Sequence, residues 1–411
     1  MKPDVVVIGG GAAGMLAAAL TARRGFDVLL LDKNDRLGRK LLITGKGRCN
    51  VTNNCPVRQA LDNIPTGGKF LQSAFNGFTP QDTMALFEEL GVPLKTERGG
   101  RVFPVSDKSA DIVSALTRFM QKTGVAVRKG RVTGIGTSGG RVTSVKTDRE
   151  EIPCRAAILC TGGASYPATG STGDGYDIAA ALGHRIVPPK PSLVPLRAAP
   201  EICSQMQGLT LKNVGLTVKN GGKKPVYEDF GELLFTHFGV SGPMILSASA
   251  HMRDFDNNKY ELVIDLKPAL DEKALDARLL RDFDKYANRD FINALGDLAP
   301  KTLIPVLVEL SEIPPDTKVN SVTRAQRQRL LELFKRFRLP VDGPRPIEEA
   351  IITSGGVELK EINPTTMASR LVEGLYFAGE VIDADAYTGG FNLQIAWSTA
   401  YAAATHLELN S

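Results

Sequence analysis

Val5-Val6-Val7-Ile8-Gly9-Gly10-Gly11-Ala12-Ala13-Gly14 decides how this chain begins to fold. The four-residue β-branched run reads as a buried strand. Gly9-x-Gly11-x-x-Gly14 follows it at once, and the alanine- and leucine-rich stretch from Met15 to Arg24 reads as the helix that this motif opens. Gly25 stops the helix, and Val28-Leu29-Leu30-Leu31 forms a second strand closing on Asp32. Strand, turn, helix and strand within about 30 residues make a βαβ unit, the context in which such glycine spacing signifies dinucleotide binding. Gly9 permits the tight turn, Gly11 lets backbone approach a pyrophosphate, and Gly14 allows close helix–strand packing. The helix start at Ala12 and Ala13 presents unpaired N–H groups and a positive dipole end to phosphates. Asp32, 21 residues after Gly11 and followed by Lys33, is placed to accept from ribose hydroxyls.

A second match, Gly134-x-Gly136-x-x-Gly139, precedes Arg141-Val142-Thr143-Ser144-Val145 and no helix, so it reads as a hairpin turn. One dinucleotide site is therefore recognisable. That favours one tightly held dinucleotide, such as FAD, over NAD(P) bound in a Rossmann domain of its own.

The rest of the composition is that of a globular protein: 411 residues, 43% hydrophobic, 23% charged and 6% aromatic. Collagen-like, disordered and disulfide-scaffold classes are excluded, as is a membrane-spanning one, since no apolar run approaches about 20 residues. No signal sequence is evident after Met1, and the five cysteines include no CxxC pair, so a cytoplasmic protein with free thiols and no metal is expected. Net charge is +5, yet residues 318–345 carry eight basic residues against two acidic ones, a local +6.

Segments 70–91 and 107–123 read as helices, and Val125–Cys160 as short strands with glycine turns. A proline-rich stretch from Val187 to Pro195 marks a boundary. Residues 196–266 look mostly β, and 268–340 carry helical periodicity. From Ile351 glycine-punctuated strands return, with a last helix from about Leu393 to Leu409. The expectation is an α/β protein: a Rossmann-like FAD-binding domain split into 1–190 and 346–411, an inserted β-rich substrate domain at 191–266, and a helical cap at 267–345.

Further blocks narrow the reading. They are Gly38-Arg39-Lys40-Leu41-Leu42-Ile43-Thr44-Gly45-Lys46-Gly47-Arg48-Cys49-Asn50-Val51-Thr52-Asn53, Thr161-Gly162-Gly163, Leu234-Phe235-Thr236-His237-Phe238-Gly239-Val240-Ser241-Gly242-Pro243, Thr353-Ser354-Gly355-Gly356-Val357, Gly379-Glu380-Val381-Ile382-Asp383 and Thr388-Gly389-Gly390-Phe391-Asn392-Leu393-Gln394. With them the chain resembles the BaiN/RdsA-like (YhiN-type) NAD(P)/FAD-dependent oxidoreductases, some of which are labelled aminoacetone oxidases. The resemblance spans nearly the whole length and keeps the motif order. It implies non-covalent FAD, NAD(P)H as a transient electron donor, and either a small molecule or ribosomal RNA as acceptor.

Around a flavin these blocks make chemical sense. Arg39, Lys40 and Arg48 add cationic donors to a loop carrying Gly45, Gly47 and Asn50, suited to a pyrophosphate; for Arg39 and Lys40 the alternative is plain surface charge. Thr161, Gly162 and Gly163 sit just past a buried strand, where α/β sheets bind ligands, and Gly379 and Glu380 likewise end a strand. Gly389 and Gly390, with Phe391, Asn392 and Leu393, open the last helix, whose dipole would stabilise negative charge on a reduced flavin.

A flavin carries the redox chemistry, so the protein need only bind, orient and sometimes protonate. His237 in the inserted β segment and Cys49 in the flavin-side loop are the candidate proton donors, each set against a structural role. The basic stretch starts a helix in which Leu330, Leu331, Phe334 and Phe337 recur at helical spacing. Its other face carries Arg327, Arg329, Lys335 and Arg336, either as a solvated face or as contacts to nucleic acid. The expected reaction is reduction of an activated C=C bond, in a small enone or at C5=C6 of a uridine. The alternative is oxidation of a small amine by oxygen.

Overall fold

The computed structural model describes residues 2–409. Among them the chain forms two compact units, one comprising the residues up to Ser192 and from Ile347 onward, the other Leu193–Pro346.

The first unit is built on a five-stranded parallel sheet of β1 (Val5–Ile8), β2 (Val28–Asp32), β3 (Ala126–Lys129), β4 (Ala156–Leu159) and β5 (Leu375–Phe377). Their spatial order is β5-β4-β1-β2-β3. β1, β2, β4 and β5 are short and apolar because both faces of the sheet are covered there, whereas the edge strand β3, Ala-Val-Arg-Lys, is largely exposed. Val5, Val7, Leu30 and Ile158 point to a core formed with α1 (Ala12–Arg23), α2 (Ser109–Thr123) and, near the C-terminus, the helix Phe391–His406. Their neighbours Val6, Ile8, Leu31 and Leu159 point to the opposite core. That side is closed by the meander Val132–Ser138, Arg141–Thr147 and Glu151–Pro153 and by α3 (Asp174–Ala181). Alternate side chains along each strand thus serve two layers.

The second glycine motif is the expected hairpin: Gly139 and Gly140 take left-handed backbone between the first two meander strands. Segment 70–91 is two helices, Gly68–Gly77 and Pro80–Glu89, divided at Thr79. Thr79 and Asp82 form a reciprocal capping box there, which starts the second helix afresh.

The second unit is a closed six-stranded antiparallel barrel with helices packed on it. Around the barrel run Leu196–Ala198, Gly239–Ser241, Tyr227–Thr236, Thr210–Lys219, Tyr260–Asp265 and Phe337–Pro344. One hydrophobic cluster joins barrel residues such as Leu262 and Phe235 to helical residues such as Leu279, Leu307 and Phe334, so residues on both sides of position 266 share a core. The basic helix ends at Lys335, and Phe337 begins the closing barrel strand. Phe337 meets the helical spacing of Leu330 and Phe334 because the strand buries it in that same core. No helix among the described residues is long and apolar enough to cross a membrane.

Candidate functional site

The carboxyl ends of β1, β2 and β4 open onto a cleft, the place where α/β sheets bind ligands. Gly9, Gly11, Asp32, Lys33, Arg39, Lys40, Thr161, Gly162 and Glu380 all line it. Sequence positions as distant as 9 and 380 converge because neighbouring parallel strands end side by side.

Each motif glycine has a distinct steric reason. A Cβ on Gly14 would collide with the carbonyl oxygen of Gly9, so only glycine lets α1 lie this close to the turn. Gly9 has φ +101°, and a Cβ there would lie 2.5 Å from Cys160 O. A Cβ on Gly11, the residue before α1, would meet nothing within 4 Å. The space before the helix end is therefore open, with no side chain capping it and no acidic residue in its first turn. Those N–H groups remain available to an anion.

Asp32 is oriented by its own backbone surroundings. One carboxylate oxygen accepts from Gly10 N at 2.6 Å, the other from Asn34 N at 2.7 Å. Both contacts hold the carboxylate at the cleft, where remaining lone pairs can accept from ribose hydroxyls. Open helix end, glycine turn and oriented carboxylate together fit the ADP half of a dinucleotide.

Farther along the cleft, Lys40 Nζ lies 2.7 Å from Glu380 Oε2 and donates to Ser165 Oγ at 2.7 Å. Glu380 also accepts from Thr353 N at 2.9 Å. Thr353 Oγ1 in turn accepts from Ala164 N and Ser165 N. Beside it, Gly163 is packed so that a Cβ would sit 2.8 Å from Glu380 Oε1. Thr161 Oγ1 is buried without a hydrogen-bond partner.

A second constellation in the same unit gathers Gly45, Gly47, Arg48, Asn50 and Gly389 to Leu393, which do not line the cleft, while Gly379 packs against Ala13 at the end of β5. Gly45, Lys46, Gly47 and Cys49 all take left-handed backbone in one tight loop. Asn50 Oδ1 accepts from Val102 N, and Asn53 Nδ2 donates to both Gly99 O and Gly389 O at 3.0 Å. Gly390 lies so close to the Thr52 carbonyl that no side chain fits. Behind it, Asn392 caps the turn through Ala386 N and O, Phe391 is buried, and Leu393 packs against the core. The helix Phe391–His406 thus begins with two left-handed glycines and no side-chain cap.

Arg48 is committed elsewhere. Its guanidinium pairs with Glu97 and Asp107 and lies 4.1 Å from the Phe103 ring centroid. The Glu97 and Arg48 hydrogen bond comes first in holding the Glu97 carboxyl below its usual range. Cys49 is fully buried, and burial pushes its thiol up to about 12. His237 lies in the second unit, exposed at the turn between two barrel strands, its ring edge-on to Phe238.

The four basic candidates are all paired within the second unit: Arg327 with Asp276, Arg329 with Glu312, Lys335 with Asp265, and Arg336 with Glu272 and Glu332. No cluster of three or more metal-ligating side chains occurs among the described residues. Residues missed from the sequence are Asn34, Ser165, Thr169, Thr172, Asp174 and Thr353. Only Thr353 belongs to a recognisable motif, Thr353-Ser354-Gly355-Gly356-Val357, and Asp174 carries the weak signal of an acid opening a helix.

Comparison with known proteins follows the same lines. The family described as HI0933-like protein Rossmann domain matches residues 3–406. The chain is 31% identical over 97% of both chains to a 3-dehydro-bile acid delta(4,6)-reductase of Clostridium scindens. It is 32% identical over 98% of both to a ribosomal RNA dihydrouridine synthase of Escherichia coli. Among solved structures, 3-ketosteroid delta1-dehydrogenase from Sterolibacterium denitrificans shares the fold, with a TM-score of 0.53 at 15% identity, covering 98% of this chain and 99% of that one. The chain belongs to the HI0933-like family of FAD-dependent oxidoreductases.

Proposed function

We propose that this protein is an NAD(P)H-driven reductase that delivers hydride, through FAD, to an activated C=C bond of a small enone-type molecule. The observation that carries the reading is the cleft at the carboxyl ends of β1, β2 and β4, with its open helix end and oriented Asp32, in a chain 31% identical over 97% of both chains to a 3-dehydro-bile acid delta(4,6)-reductase. Bound FAD supplies the hydride-transfer chemistry. In this reading the N–H groups opening α1 and the Arg39 guanidinium hold the pyrophosphate, Lys40 turns to it from its pair with Glu380, and Asp32 holds the ribose. Gly389 and Gly390 leave the amino end of the last helix without a side-chain cap, and its dipole would favour negative charge on a reduced flavin held there.

His237 is the proton donor we favour. An exposed imidazole can be recharged from solvent, whereas the buried thiol of Cys49, at about 12, lies far from the pH at which acid catalysis is efficient.

The second reading is a uridine in ribosomal RNA as acceptor, and the similarity to the Escherichia coli synthase favours it. Reduction of that ring needs the base unstacked. The charge argument for it weakens, because the basic helix offers paired guanidinium groups where free ones would bind phosphate. Steady-state NAD(P)H oxidation with a panel of enones, run beside ribosomal RNA lacking dihydrouridine, separates the two. Turnover with RNA alone rejects the small-molecule reading.

A further inference from the structure

Four hydrogen bonds cross the dinucleotide cleft, all from residues 33–40 to residues 165–174. Lys33 Nζ donates to Thr172 Oγ1 and to Asp174 Oδ2, the latter at 2.9 Å. Asn34 Nδ2 donates to Thr169 O at 3.2 Å, and Lys40 Nζ to Ser165 Oγ at 2.7 Å. Lys33, Asn34 and Lys40 line one wall, and Thr169, Gly170, Ser171 and Asp174 line the other. Thr172 ties the latch together, donating to Asp174 Oδ1 at 2.8 Å while accepting from Lys33.

The segment carrying these acceptors has the build of a strap. It runs from the end of β4 to the start of α3, with left-handed glycines at Gly162 near one end and Gly170 and Gly173 near the other. Such positions absorb backbone rotation without steric cost, as hinges require. Asp174 is firmly placed because it sits in the first turn of α3, where a carboxylate is favoured by the helix dipole.

We propose that residues 162–173 form a strap over the bound dinucleotide, and that Thr172 and Asp174 are positioning residues that latch it through Lys33. The inference rests on the reading of this cleft as the FAD site. A ligand under the strap leaves only when the cross-cleft contacts open, and it enters the same way. Weakening the latch therefore raises the rates of entry and of departure together, and the equilibrium constant changes less than either rate. A residue that only touches the ligand would instead raise departure and leave entry unchanged.

The test uses the full-length protein. FAD release is followed by the recovery of free-flavin fluorescence after dilution, and FAD uptake by its quenching on mixing with flavin-stripped protein. Asp174→Asn and Thr172→Val are compared with the unaltered chain, and circular dichroism establishes that each variant is folded. The expected result is release about tenfold faster, equivalent to about 1.4 kcal/mol, with uptake accelerated by a similar factor. Combining Asp174→Asn with Lys33→Met should add little to either single change. Faster release with unchanged uptake, or unchanged release, overturns the strap while leaving the FAD site intact. Failure of the unaltered chain to take up FAD at all overturns the site reading itself, and the strap with it.

Discussion

Arg327 Nε lies 2.7 Å from Asp276 Oδ1, and the arginine side chain is only 14% exposed. Within the most basic stretch this cation is thus turned inward on an acid of its own unit, while Arg329 and Arg336 form their ion pairs at the surface. Arg327→Ala would leave Asp276 partly buried without its cation. We expect a loss of about 1–2 kcal/mol, between the ranges for exposed and buried ion pairs. Thermal or urea unfolding measures it, and FAD content should not change. If the variant instead keeps full stability and loses affinity for RNA in a salt titration, the helix is a phosphate-contact surface.

The motif glycines separate folding from binding. Gly14→Ala places a methyl group against Gly9 O, and it should prevent correct folding of the first unit. Gly11→Ala meets no protein atom, so its circular dichroism and melting should match those of the flavin-stripped parent. The new methyl occupies the approach to the helix end, and flavin affinity should fall by about tenfold or more. Normal flavin content in Gly11→Ala would remove the pyrophosphate from this position.

His184 makes stability pH-dependent. Its ring is buried against Phe377, with Nδ1 3.1 Å from Glu361 and Nε2 2.9 Å from Ser369 Oγ. Ser369 Oγ already accepts from Leu371 N and Val372 N, so its own proton is directed to Nε2 of a neutral ring. Burial lowers the His184 pKa from 6.5, and the Glu361 contact only partly offsets this. The unfolded chain therefore binds the proton first. Stability should be greatest above about 6.5 and should fall as pH drops from there towards the folded value. His184→Gln should flatten that part of the stability-against-pH curve in urea titrations.

The two candidate proton donors predict opposite outcomes. His237→Gln should lower kcat by about a hundredfold or more, the usual contribution of a positioned acid, while Cys49→Ala should leave kcat within about threefold. Rapid-quench turnover of both variants with one acceptor decides between them. A reversal would mean that the buried thiol of Cys49 reaches the reacting atoms.

Much of this was readable in the chain. The βαβ unit from Val5 to Asp32 follows from periodicity and glycine spacing, which are local. The barrel closure was not readable, because Phe337 continues the spacing of the preceding helix and only pairing with Tyr260–Asp265 makes it a strand. Arg48 and the basic helix looked available to phosphates because their acidic partners, Glu97, Asp107 and Asp276, lie about 50 to 60 residues away. The Thr172 and Asp174 latch was hidden for a similar reason: Lys33 is about 140 residues distant.

The most direct measurement is an anaerobic titration of the purified protein with NADH and with NADPH, following the absorbance of oxidised flavin. A yellow protein that bleaches with one of these donors, and recovers its colour when an enone is added, is the predicted result. A flavin that stays oxidised with both donors, but bleaches with a small amine, would contradict the reductase and make this chain an oxidase.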